Sequence, residues 1–312
     1  MDQDAAASDD DDEMERSETS LSELKSTLCI LAAGVLWGLL PLFVKKFAAA
    51  GFSPEQIVFI RVFFGALPLA AWMAIRNPAL LRFRLADVWC FAGTGIGSIM
   101  LFSYCYFRTI ESGSIALAAL LLYTSPVFVL FFSILLFGER VTKRKLLAVG
   151  CAFAGCVCVT GILDDGAGMA SWPVIVVGLS SGVCYALYSI FGKYALRRYS
   201  SLTVTVYSLV FAAASSAFLV PLPRTFALLA DPAFFFLACG MALFCTLGSF
   251  GLYTLGLRGI AASKAGVLAT IEPVVATLLG ILVFHERAAL TTFAGMALII
   301  GATLLLAGRA DR

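Results

Sequence analysis

Ten runs of about 20 predominantly apolar residues, parted by short polar or Pro/Gly-bearing connections, leave this chain few ways to fold. They lie near 27–44, 54–75, 87–107, 112–137, 145–163, 172–196, 202–222, 232–257, 260–284 and 290–307. At about 1.5 Å per helical residue each run reaches across most or all of the roughly 30 Å hydrocarbon core of a bilayer. Composition agrees, with 61% hydrophobic and only 13% charged residues, where soluble domains carry about 25% charge. Local signals fall where the hydropathy wants helix starts. Ser53-Pro54-Glu55 and Asp231-Pro232 each offer a capping side chain followed by a proline at the first helical position. The expectation is an all-α integral membrane protein with ten transmembrane helices.

The net charge of +2 conceals a split. Ten of the twenty acids lie between Asp2 and Glu23, and the run Asp9-Asp10-Asp11-Asp12-Glu13 sits at their centre. Residues 1–26 cannot bury enough apolar surface to offset the entropy of ordering them, so they are expected to form a disordered acidic cytoplasmic tail. With the amino terminus inside, sixteen lysines and arginines fall on the inner side. Five fall outside (Lys45, Lys46, Arg108, Arg224 and Arg287), and Arg61 lies within a span. That imbalance predicts two cytoplasmic termini, 309–312 being the second, and a plasma (inner) membrane location. Because the basic excess is spread over short connections, no nucleic-acid partner is expected.

A second regularity runs through the whole chain. Tyr123-Thr124-Ser125-Pro126 leads through an apolar stretch to Glu139-Arg140. At a spacing of 147, Thr270-Ile271-Glu272-Pro273 leads likewise to Glu286-Arg287. The same spacing joins Ser53 with Ser200, Tyr106 with Tyr253 and Gly161 with Gly308. A spacing of 148 joins Gly34 with Gly182, Trp37 with Tyr185 and Lys45 with Lys193. The chain is therefore divided into a first five-helix repeat at 27–163, a linker at 164–171 and a second repeat at 172–308. Five spans is an odd number, so the second repeat must cross the membrane in the opposite sense. Inverted repeats of this kind are typical of secondary transporters, which bind substrate near the midplane between the halves.

Only the second copy carries an acid beside its proline. A charged side chain at the centre of a membrane helix costs roughly 2.5 to 3.5 kcal/mol, which marks Glu272 as the leading site candidate. Counting turns, Ala265, Ala269 and Ala276 share one face of the helix with Glu272, so the acid opens onto small residues. Two readings are open: a carboxyl group that only fixes packing, or one that binds a proton or a substrate cation. Arg61 lies about 10 Å down its helix from Pro54, where it either pairs with Glu272 or extends toward the interface. Trp37, Tyr123, Tyr185 and Tyr188, together with Ser103, Tyr106, Ser181, Ser249 and Tyr253, offer apolar walls with polar handles for a small organic molecule. The small-residue spacings Gly34/Gly38, Gly93/Gly97 and Gly178/Gly182 read as close helix packing. There is no G-x-x-x-x-G-K-[ST] loop for ATP, and His285 is the only histidine, so neither a cofactor nor a metal is expected. The nine cysteines all sit in apolar runs and read as small hydrophobes.

The stretches 114–161, with Ser125-Pro126 and Phe137-Gly138-Glu139-Arg140, and 261–308, with Ile271-Glu272-Pro273 and Phe284-His285-Glu286-Arg287, resemble two EamA-type domains. These domains belong to the drug/metabolite transporter superfamily, and the resemblance covers nearly the whole chain. It implies a transporter rather than an enzyme, and a cavity shared by both halves, with the fifth and tenth helices at the periphery. It also implies pocket roles for Trp37, Tyr123, Tyr185, Tyr188 and Glu272. The acid that small multidrug members carry near the start of their first helix is absent from 27–44. The expectation is an alternating-access exporter of a small metabolite such as an amino acid, with the proton as a possible coupling ion. A multidrug or nucleotide-sugar-type carrier, and an intramembrane lipid-modifying enzyme or receptor, are the alternatives.

Overall fold

The computed structural model describes residues 21–162, 171–286 and 288–307. Residues 1–20 of the expected tail, 164–170 of the expected linker, Arg287 and 309–312 lie outside the described residues. The long elements are all helices: α1 (Leu21–Ala49), α2 (Pro54–Arg76), α3 (Leu85–Ser112), α4 (Ile115–Phe137), α5 (Lys143–Val159), α6 (Trp172–Ala195), α7 (Ser201–Leu219), α8 (Pro232–Gly259), α9 (Ala262–Phe284) and α10 (Leu290–Ala307). Among the described residues nine of these are long and apolar enough to cross a membrane. The exception is α5, which has 17 residues and lies along α10.

Several helix ends follow from the sequence. The α2 start is a capping box, in which the Ser53 hydroxyl accepts from the Gln56 N–H and the Gln56 side chain accepts from the Ser53 N–H. Ser200, its partner at the spacing of 147, caps α7 through the Thr203 N–H. Two starts differ from expectation. Thr142 caps α5 by accepting from the Lys145 N–H, so α5 begins before 145. In α1 the helix begins at Leu21, within the stretch 1–26 expected to be disordered. Glu23 explains the difference, because its carboxylate pairs with the buried Lys264 ammonium at 2.6 Å and ties that turn to α9.

Both fourth helices break within one residue of the same place, at Tyr123-Thr124 in α4 and Ala269-Thr270 in α9. The cause is the proline that follows each break. Pro126 and Pro273 have no N–H to give to the carbonyl four residues back. The backbone turns more tightly instead, with the Glu272 N–H donating to the Ala269 carbonyl at 3.0 Å. The Thr124 and Thr270 hydroxyls satisfy the carbonyls of Leu121 and Val267, each at 2.6 Å. Consequently the run Ala265, Ala269, Glu272, Ala276 is not one continuous helical face.

Each break is packed against the first helix of the other repeat. A Cβ on Gly38 of α1 would come within 2.9 Å of the Glu272 carbonyl oxygen, and one on Gly182 of α6 within 2.7 Å of the Leu121 carbonyl oxygen. Helix α8 lies against α1 and α3 against α6 in the same crossed manner, as the approach of Gly256 to Ser26 and the edge-on contact of Trp89 with Phe191 illustrate. Side chains such as Leu135, Phe236, Leu282 and Leu304 remain exposed. Many buried serines and threonines instead satisfy carbonyls of their own helices, among them Ser103, Ser249 and Thr254. An apolar exterior around a core holding satisfied hydroxyls is the pattern a bilayer asks for.

The two ends of the molecule are closed to different degrees. At one end the Glu139 carboxylate accepts from the Ala262 N–H at 3.0 Å and from the Ser263 hydroxyl, with the Lys145 ammonium 3.7 Å away. Beside it the Lys193 ammonium donates to the carbonyls of Leu257 and Ile260. At the other end Glu286, the counterpart of Glu139, pairs with the exposed Lys45 at 2.6 Å, and that ammonium also lies 3.6 Å over the Phe284 ring. Ala262 is fully buried, whereas its counterpart Ile115 is 68% exposed.

Candidate substrate site

Glu272 enters the core directly after the α9 break, held there by the turn that Pro273 enforces. Its carboxylate accepts a hydrogen bond from the Tyr185 hydroxyl at 3.2 Å. Among the described residues it takes part in no ion pair. Tyr106, Tyr123 and Cys156 are near enough to feel its charge. Arg61 is 6% exposed, and its Nε has no hydrogen-bond partner among the described residues. It makes no contact-distance pair with Glu272, but the carboxylate and Tyr185 both lie within electrostatic reach of its guanidinium. This part of the core thus holds an acid and a base that act on each other from a distance.

Aromatic rings build the wall beside them. Trp37 meets Tyr185, Phe250 and Tyr253 at centroid distances of 6.3, 5.1 and 5.3 Å. Phe102 closes on Tyr185 at 5.3 Å, and Tyr188 on Phe250 at 5.0 Å. Two hydroxyl pairs pin the rings: Tyr188 with Thr254 at 2.8 Å and Tyr253 with Ser189 at 2.7 Å. These rings, with Ser98 and Ile99, enclose a cavity of about 20 Å³, roughly the room of one water. Edge-on and tilted rings of this sort offer both π-faces and positive edges to a planar apolar group.

Of the residues singled out in the sequence, Trp37, Tyr185, Tyr188 and Tyr253 come together around this cavity, and Glu272 joins them through Tyr185. Tyr123 does not line the cavity; it packs on the cluster of Cys156, Val274, Met296 and Ile299 while staying within reach of the Glu272 charge. Ser181 spends its hydroxyl on the Gly178 carbonyl and Ser103 on the Ile99 carbonyl. Phe102 and Phe250 are wall residues that the sequence did not single out, because a phenylalanine in a membrane helix looks the same whether it faces lipid or a pocket. A π-helical stretch, Gly93–Met100, carries Ser98 and Ile99 to the wall, and a matching one, Leu243–Gly248, interrupts α8. Among the described residues no three His, Cys, Asp or Glu side chains gather as a metal-ligating group.

Comparison with known proteins agrees with this architecture. The model of the EamA-like transporter family matches twice, over residues 24–161 and 172–308. An uncharacterized transporter of Archaeoglobus fulgidus is 31% identical over 281 residues, covering 88% of this chain and 94% of that protein. The aromatic amino acid exporter YddG of Ancylobacter novellus is 28% identical over 189 residues, which is 60% of this chain and 63% of the exporter. One crystal structure superposes with a TM-score of 0.74 at 23% identity, covering 90% of this chain and 95% of its own, a likeness of fold. The chain belongs to the EamA-like transporter family of drug/metabolite transporters. It is a multi-pass membrane protein and a transporter, not an enzyme.

Proposed function

On the premise of that membership, we propose that the protein exports a small amino acid-like metabolite by alternating access between two inverted five-helix repeats, 27–163 and 172–308. The observation that carries this reading is Glu272, a membrane-embedded carboxylate with a tyrosine hydroxyl but, among the described residues, no cation in contact. It stands beside an aromatic wall and within electrostatic reach of the Arg61 guanidinium. An acid that costs roughly 2.5 to 3.5 kcal/mol to insert is stabilised by a cation that arrives with each cycle. Either an ammonium group or a proton fits, so a pH gradient is the proposed driving force. A zwitterion meets both charges, with its ammonium on Glu272, its carboxylate toward Arg61 and its side chain against Trp37, Tyr185 and Tyr188. The aromatic amino acid specificity in the name of the Ancylobacter relative supports this class of substrate.

The unequal ends support the cycle. In this state the contacts at Glu139, Lys193 and Lys264 seal one end, while the equivalent start of α4 at Ile115 stands open. Exchange of the two repeats' conformations closes the second end and opens the first. All ten helices cross the membrane in this reading, α5 among them. The basic excess on the inner side supports cytoplasmic termini and a plasma (inner) membrane location. The test is flux in proteoliposomes of neutral, aromatic and basic amino acids, a nucleoside, a nucleotide sugar and a cationic dye, with and without a pH gradient. The expected result is gradient-dependent movement of amino acids in the wild type and none in Glu272→Gln of equal folding. Unimpaired flux in that variant overturns the role of Glu272; movement of the dye or nucleotide sugar alone replaces the substrate class.

A further inference from the structure

Away from the aromatic site, at the end of the molecule where α2 hands over to α3, an open cavity of about 510 Å³ is lined by Arg82, Phe83, Arg84, Arg198 and Tyr199. Three guanidinium-bearing residues share one concavity, and two of them have no side-chain partner at contact distance among the described residues, although the Arg84 charge acts on Asp87 from further off. The side chains of Arg82 and Arg84 make no ion pair or hydrogen bond among the described residues, and both residues are exposed. The third is half-committed, with Arg198 Nη1 donating to both oxygens of Asp87 at 3.2 and 3.3 Å. Asp87 is the carboxylate nearest the cavity, and Tyr199 also engages it, donating its hydroxyl to Oδ2 at 2.6 Å. The same hydroxyl accepts the Arg84 backbone N–H at 3.1 Å, which fixes the loop that carries both free arginines. Phe83 stacks edge-on against Tyr207 at 4.6 Å and Phe91 at 5.4 Å, so the floor is built as well.

We propose that this cavity binds a phosphate group, supplied by the headgroup of an anionic phospholipid in the surrounding leaflet. Forked guanidinium donors match tetrahedral oxyanions, and two unpaired ones on a fixed loop leave an excess of positive charge that Asp87 offsets only in part. The surroundings favour a lipid source. Leu85 is 84% exposed and Trp89 49% exposed directly along α3 from the arginines, an apolar and interfacial surface for acyl chains. Basic pockets between membrane helices at the cytoplasmic edge are suited to such headgroups.

The experiment places full-length protein in phosphatidylcholine nanodiscs, replaces a rising fraction of the lipid with phosphatidylglycerol, and reads the thermal unfolding midpoint. Arg82→Gln/Arg84→Gln is compared with wild type and with Lys143→Gln/Arg144→Gln, which removes two charges from the basic first turn of α5. The midpoint is expected to rise with phosphatidylglycerol for wild type and the α5 control. In the Arg82/Arg84 variant the phosphatidylglycerol needed for half the rise should grow roughly 30-fold, or the rise should vanish. An equal response of all three proteins overturns the site in favour of general surface charge. Inorganic phosphate added to pure phosphatidylcholine discs forms a separate arm. If it alone reproduces the protection, and only with both arginines present, the lipid source is overturned and a soluble anion takes its place.

Discussion

At the scale of single residues, the proposed function concentrates on Glu272 and what touches it. Among the described residues the Tyr185 hydroxyl is the one side-chain donor on that carboxylate, and a hydrogen bond to a charged group is worth about 1.5–3 kcal/mol. Tyr185→Phe is therefore expected to keep the aromatic wall and the fold while lowering flux roughly tenfold or more, measured as kcat/KM in proteoliposomes. Arg61→Gln separates two roles by its kinetic signature. Loss of a substrate-carboxylate partner raises KM for amino acids and spares an amine lacking the carboxylate, whereas a packing role slows both alike. Glu272 was legible in the sequence because an acid inside an apolar run is rare and costly. Phe102 and Phe250 were not, since nothing in their identity or spacing separates a pocket wall from a lipid-facing surface. The relation of Arg61 to Glu272 depends on which helices meet, and that information lies in tertiary packing alone.

At the scale of elements, the broken fourth helices explain why the glycines of α1 and α6 stand where they do. Gly38 and Gly182 press against the segments beside the breaks: a methyl group on Gly38 would meet Val275 Cβ at 2.5 Å and the Glu272 carbonyl at 2.9 Å, and one on Gly182 the Thr124 hydroxyl at 2.5 Å and the Leu121 carbonyl at 2.7 Å. Gly38→Ala and Gly182→Ala are each expected to destabilise the protein by about 1–3 kcal/mol, seen as a lower unfolding midpoint in detergent. The same substitution at Gly150, where a Cβ meets nothing within 4 Å, should have little effect beyond helix propensity. The ends of the fourth helices carry a second contrast. Gly138 closes α4 at φ 64° and His285 closes α9 at φ 54°, the left-handed conformation in both. His285→Gly relieves a cost of about 1 kcal/mol and should raise stability without changing flux. The prolines account for these breaks, although counting turns through Pro273 puts Ala265, Ala269, Glu272 and Ala276 on one face; Ser53 and Asp231 announced their helix starts. The π-helical stretches in α3 and α8 had no such herald, because a wide turn is imposed by neighbours and not by any residue's own preference. The early start of α1 was hidden for a similar reason, since its anchor is an ion pair across 241 positions of sequence.

At the scale of the whole molecule, the crossed packing of the repeats makes the two ends comparable, and their inequality can be tested. In a background lacking the nine native cysteines, Glu139→Cys/Ser263→Cys should cross-link readily as prepared. Glu286→Cys/Ala116→Cys, the equivalent pair at the open end, should cross-link only during turnover, and each bridge should stop flux. Equal cross-linking of both pairs at rest would count against two alternating states. One contact in the fold stands apart from these gates. Gly155 of α5 and Gly295 of α10 meet backbone to backbone, and a Cβ on either would come within 2.6 or 2.7 Å of the other's carbonyl oxygen. Their counterparts at the spacing of 147 are Ala302 and Ala148, which belong to the same two helices and the same buried cluster. Exchanging the repeats therefore returns this helix pair to itself. In the proposed cycle it would keep the same neighbours on both strokes, like the pin of a rocker, and a covalent tether across it is expected to leave the cycle running.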